Sequence, residues 1–248
     1  MIKIQNEFKI GFEPTKHQYT VTKDSETFDV SSWTGVCDLL DKSSGLLPWA
    51  VNCAVKYIKE NGLTEETLDK AKKEWRTVKE EACDIGSEVH GIIERYIKFG
   101  KDALGELRPE VENAFLAFLD WEKTTGVEWV ASECRVYNPL VGIAGCFDAI
   151  GKIKGQYILI DFKSSKGFYD TFPIQLGGYL SCLKHYDLPF VISHAGILRL
   201  DKETGVPEWK EYRDCKRYID TAEIMGKLFY MLKKRRLKNN PFVKAYHG

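Results

Sequence analysis

The 248-residue chain has no long apolar run, no closely spaced pair of cysteines and no excess of charge of either sign. No stretch approaches the about 20 apolar residues that cross a bilayer, so no membrane association is expected. The opening MIKIQNEFKIGFEP has neither an apolar signal core nor a small-residue cleavage site, and its acids argue against a transit peptide. A cytoplasmic protein is expected. Seven cysteines stand at 37, 53, 83, 134, 146, 182 and 215 without a CxxC pair. That dispersed, odd set suits reduced, mostly buried thiols better than a disulfide framework, argues against a zinc ribbon, and leaves no iron–sulfur cluster expected. Lys plus Arg number 36 and Asp plus Glu 36. With no net charge, any polyanionic ligand must be met by local patches.

What is present is an ordinary globular composition, 44% hydrophobic and 29% charged, long enough to bury a full core. Residues 8–30 alternate apolar and polar around a turn at Lys23-Asp24-Ser25 and read as a β-hairpin. Ser31 or Ser32 caps a helix starting near Trp33, and a second runs from Leu47 to Lys59 with Pro48 in its first turn. Thr64-Glu65-Glu66 opens a charged helix to about Cys83. Gly86 is expected to break or redirect it, and Ser87 to restart a helix that Gly100 stops. A helix over Glu110–Lys123 follows, then strands over Glu128–Tyr137, Val141–Ile153 and Tyr157–Lys163. A helix over Pro173–Tyr186, strands over Phe190–Leu200 and Glu208–Arg213, and a last helix from Tyr218 to about Leu237 complete the reading. Helices first, then a sheet with crossing helices, indicate an α/β protein with a helical N-terminal lobe.

The chemistry concentrates between Gly142 and Tyr179, GIAGCFDAIGKIKGQYILIDFKSSKGFYDTFPIQLGGY. Two apolar strands each carry an aspartate, Asp148 and Asp161, where an unpartnered buried carboxylate is costly. A tight turn at Lys154-Gly155-Gln156 makes them antiparallel neighbours. Alternation places Asp161 and Lys163 on one face and Ile158, Ile160 and Phe162 on the other, in a core. Two carboxylates and a lysine on a single sheet face form a metal site with a cation beside it.

Four motifs in order carry a family resemblance. They are Gly86-Ser87-Glu88-Val89-His90, Gly145-Cys146-Phe147-Asp148, Asp161-Phe162-Lys163 and Gln175-Leu176-Gly177-Gly178-Tyr179. This series resembles the PD-(D/E)XK nuclease superfamily, and most closely its RecB-type and phage-exonuclease branch. His17-Gln18-Tyr19 is similar to the entry segment of phage members. The resemblance implies a restriction-endonuclease-like core, a mixed central sheet flanked by helices. Residues 1–248 would form one nuclease domain, a hairpin and helical lobe over 1–85 and the catalytic core over 86–248.

It further implies a Mg²⁺-dependent deoxyribonuclease, more an exonuclease than an endonuclease, leaving 5′-phosphate products. Recombination, repair or DNA processing in a bacterium or phage-infected host would be its setting, with a recombination or single-strand-binding protein as a possible partner. Hard Mg²⁺ takes oxygen ligands, for which Asp148 and Asp161 are suited, and imidazole makes Mn²⁺ an expected substitute. By the resemblance the carbonyl of Phe162 and His90 join the metal set, Lys163 positions the attacking water, and Gln175 and Tyr179 orient Lys163 or the phosphate. Glu133 is either an additional carboxylate or an exposed strand residue, and Gln175 and Tyr179 equally suit a structural helix face. Ser164, Ser165 and Lys166 lie where a phosphate could be held or where a polar loop is expected anyway. The basic tail with Lys233, Lys234, Arg235, Arg236 and Lys238 suits single- or double-stranded DNA or a helix dipole. Against the nuclease stand a non-catalytic binding module of the same fold and an RNA-directed enzyme, since a metal centre reads phosphate and not sugar.

Overall fold

Strand β5 (Ile143–Ile153) is buried almost throughout and organises the sheet. The structure, a computed structural model, describes residues 1–2, 4, 6–100, 105–232, 237 and 239–247. Along one edge β5 runs antiparallel to β4 (Glu128–Asn138). Its other edge is shared. Ile143 and Ala144 pair in parallel with Ser31 and Ser32 at the end of β3 (Glu26–Ser32), while Ala149–Ile153 pair antiparallel with β6 (Gln156–Lys163). Between those ladders β3 and β6 diverge, and Gly145–Asp148 face a fork.

Lys154 (φ 49°) and Gly155 (φ 80°) make the two-residue β5–β6 turn, both left-handed as a type I′ hairpin requires. β6 crosses through α5 (Thr171–Leu183) to the parallel β7 (Ile192–Leu200), which pairs antiparallel with β8 (Pro207–Tyr212). The expected N-terminal hairpin is a three-strand antiparallel meander of β1 (Lys9–Glu13), β2 (Gln18–Lys23) and β3. The result is α/β, one mixed eight-stranded sheet flanked by helices.

Apolar residues of the sheet feed two cores. On one face Phe147, Ile150, Leu159, Ala195 and Ile197 meet α1 (Trp33–Cys37), α5 and α6 (Cys215–Leu232). On the other, Ala149, Ile158, Ile160, Phe162 and Leu198 meet α3 (Glu65–Phe99) and α4 (Pro109–Thr125). Ile158, Ile160 and Phe162 thus pack as alternation requires. α2 (Ser43–Asn61) contributes no buried residue and lies along α3.

Three helical expectations are corrected. α3 runs unbroken for 35 residues through Gly86 and through the expected lobe boundary at residue 85. One interior glycine costs a helix only about 1 kcal/mol, too little to break one so long. A Cβ at Gly86 would meet Ser164 Oγ at 3.4 Å, an ordinary van der Waals contact. α2 begins four residues early, because Asp41 accepts the Ser43 N–H at 2.8 Å, leaving Pro48 inside the helix. α6 begins three residues early, at Cys215, is described as far as Leu232, and a further helix α7 (Pro241–His247) is present. Lys233, Lys234, Arg235, Arg236 and Lys238 lie outside the described residues.

Candidate metal centre

The site is built where β6 leaves β5. The last ladder pair is Ala149–Ile160, and beyond it the Asp148 side chain replaces the backbone ladder, its Oδ2 accepting the Phe162 N–H at 2.6 Å. Asp148 Oδ1 faces His90 Nδ1 of α3 at 3.3 Å. Phe147 and Ile150 pack in one core and Ala149 in the other, so strict alternation fails around Asp148. Across the β4–β5 ladder stands Glu133, a non-glycine residue in mid-strand with φ 49°. Such a backbone is costly for a residue with a Cβ and persists only where the surroundings impose it. The outcome is that His90, Glu133 and Asp148 each offer a ligand atom, all within 4.8 Å of one another.

Asp161 and Lys163 come from the adjoining strand end. Lys163 Nζ lies 2.5 Å from Asp161 Oδ2, with Asp161 buried and the lysine side chain 18% exposed. The ligand cluster thus joins Asp148 to Glu133 and His90, while Asp161, expected beside Asp148, is paired with Lys163. On α5, Gln175 Nε2 donates to the Tyr179 hydroxyl at 2.7 Å, so the bond these two make is to each other and not to Lys163. The Tyr179 ring lies over Gly145, where a Cβ would come within 2.6 Å of it. Gly177 and Gly178 face Tyr218 of α6 and Trp33 of α1, explaining two helical glycines by close packing on helices.

The electrostatics follow from crowding five titratable groups around the fork. Burial pushes Glu133 up to about 7, reinforced by the Asp148 charge. Burial raises Asp161 to about 6 although Lys163 opposes it. For His90, burial works against the cation, yet the charge and hydrogen bond of Asp148 outweigh it and lift the imidazole to about 9. Burial likewise opposes ionisation of Asp148, and His90, Lys163 and the Phe162 N–H together hold it below the usual carboxylate range. Burial disfavours the Lys163 ammonium too, but Asp161 and Asp148 keep it charged. Glu133, Asp148 and the His90 imidazole, with ligand atoms within 4.8 Å of one another, fit a hard or borderline divalent cation, which would relieve the repulsion between Glu133 and Asp148.

Of the remaining candidates, Ser164 approaches Gly86, Ser165 Oγ donates to the Gly167 carbonyl at 2.9 Å, and exposed Lys166 lies 3.7 Å from Glu203. Cys146, read only as part of a motif, donates its thiol to Glu133 Oε2 at 3.3 Å. Its place two residues before Asp148 was the available signal.

No protein-family model matches the chain, and no curated protein matches it. Among solved structures, the crystal structure of SSO0001 aligns with 58% of this chain and 72% of its own, at 18% identity and a TM-score of 0.29. That likeness is too distant to bear on fold or function.

Proposed function

We propose that the protein is a divalent-metal-dependent deoxyribonuclease with a PD-(D/E)XK core, acting as an exonuclease. The observation that carries the reading is the fork, where Asp148, Glu133 and His90 surround one point and the Asp161–Lys163 pair adjoins it. Asp148, Asp161, Glu133, His90 and the Phe162 carbonyl would hold Mg²⁺ or Mn²⁺. Bound there, the cation neutralises phosphate charge and makes water nucleophilic near neutral pH.

The chain's own groups do the rest. The Phe162 N–H fixes the Asp148 carboxylate, and Asp161 holds the Lys163 ammonium beside the place a phosphate would occupy. Lys163 then offsets the charge that grows on phosphorus oxygens in the transition state. Water adds to phosphorus, the P–O3′ bond breaks, and the departing 3′ oxygen takes a proton, leaving a 5′-phosphate and a 3′-hydroxyl. The Gln175–Tyr179 pair supports the fork from α5. The exonuclease preference rests on the sequence resemblance and on the α2–α3 lobe, which supplies a wall beside His90.

End-labelled linear single- and double-stranded DNA, incubated with Mg²⁺, Mn²⁺ or EDTA beside a folded Lys163→Ala variant, tests this. Label loss that needs metal and Lys163 is expected. Intact label with every metal would overturn it.

A further inference from the structure

The loop from Ser164 to Asp170, which joins β6 to α5, is pinned yet presents a large ring to solvent. Arg199, itself buried, donates from Nη1 to the Ser165 carbonyl at 3.2 Å. Ser165 Oγ donates to the Gly167 carbonyl, and the Phe172 N–H donates to the Tyr169 carbonyl at 3.0 Å. Between those anchors Tyr169 is 54% exposed. Its ring meets Phe172 edge-on at 5.3 Å, and the Lys163 ammonium lies 5.2 Å from the centre of that same Phe172 ring. One buried ring therefore separates an exposed ring from the Lys163 charge.

A second cation stands on the same face. Asp161 pairs with Ile197, and Ile197 pairs with Lys210, so all three lie at one level of the sheet with side chains on one face. Two strand spacings, roughly 10 Å, separate Asp161 from Lys210. Lys210 is exposed, and among the described residues no carboxylate pairs with it. It lies instead over Phe168 at 5.3 Å and Tyr212 at 5.6 Å. Lysines 163 and 210 thus flank the loop that holds Phe168 and Tyr169.

We propose that this loop is the path of a single nucleic-acid strand leaving the fork, with Tyr169 stacking a base and Lys210 contacting a backbone phosphate. The inference rests on the nuclease reading and adds to it a binding surface for the flanking nucleotides. Aromatic faces between cations suit single strands because every base has a π-face and every linkage a charge. Arg199 is not part of the path: Asp201 and Glu208 already neutralise it.

The test is fluorescence anisotropy of a labelled single-stranded DNA oligonucleotide with the full chain in Ca²⁺, across a salt series. Tyr169→Ala is expected to weaken binding about tenfold, 1.4 kcal/mol, and Tyr169→Trp to retain it. An abasic strand should bind wild type and Tyr169→Ala equally. Lys210→Gln should reduce the slope of log affinity against log salt by about 0.7, one single-strand phosphate contact. Both variants binding within twofold of wild type, while wild type binds and cleaves, would overturn this inference alone. Binding that depends on Tyr169 and Lys210 without any cleavage would support it and overturn the nuclease reading alone. A wild type that binds no DNA would overturn both.

Discussion

Lys163 is held between a buried carboxylate and an aromatic ring, and its removal has two separable effects. Deleting one partner of a buried pair leaves the other charge uncompensated and costs about 3–5 kcal/mol. Lys163→Ala is therefore expected to lower the melting temperature as well as slow cleavage by about 10²-fold or more. Adding Asp161→Asn should recover much of the stability and none of the activity, which a thermal melt and a nuclease assay on the same samples would check. The titrations give a second prediction. Glu133 and Asp161 are held protonated to about 7 and about 6, above their unfolded values, and His90 holds its proton to about 9. In each case the folded chain binds protons that the unfolded chain has lost, so metal-free stability falls as pH rises through those values. Metal ligation needs the same groups deprotonated. The difference in melting temperature between metal-loaded and EDTA-treated protein should accordingly widen from pH 6 to pH 9; a difference that narrows would argue against this ligand set.

Glycines inside helices separate two roles at the level of elements. Gly86 has ordinary van der Waals space for a methyl group, so Gly86→Ala should stabilise α3 by about 1 kcal/mol. A rise in melting temperature of about 2–4 °C is the expected reading. Gly178 differs, because its Cβ would come within 2.3 Å of the Trp33 indole, which is wholly buried and cannot yield. Gly178→Ala should destabilise by about 1–3 kcal/mol through overpacking, visible as a lower urea midpoint. The same glycine that weakens helix propensity in α5 is what lets α1 close over it.

In the whole molecule the two cores are unequal neighbours of the lobe. β5 is covered on both faces, whereas α2 buries no residue and lies along α3. Local opening follows buried contact density, so amide exchange should be fastest to appear in α2 and slowest in β5 and β6. Metal should stabilise the whole chain by mass action, about 2.7 kcal/mol at a hundredfold excess over its dissociation constant. Addition of Mn²⁺ should raise the melting temperature and EDTA should reverse it. An Asp148→Asn chain should show no such rise, since Asp148 meets His90 and anchors Phe162.

The sequence alone determined what depends on neighbours in the chain. Apolar runs define β5 and β6, Lys154-Gly155 turns one into the other, and Ser32 caps α1. The order His90, Asp148, Asp161, Lys163 was likewise legible, because each lies in a motif of fixed local spacing. Tertiary structure decided what depends on distant partners. Glu133 was readable only as a strand residue, since nothing in its own preferences indicates a left-handed backbone; it lies between Ser132 and Cys134, which the β4–β5 ladder holds on either side. Gly86 looked like a break because propensity is local, while α3 persists because packing along its length outweighs one glycine. The fork itself has no sequence signature. It exists because β5 gives one end of an edge to its hairpin neighbour β6 and the other to β3, whose paired residues lie more than a hundred positions away.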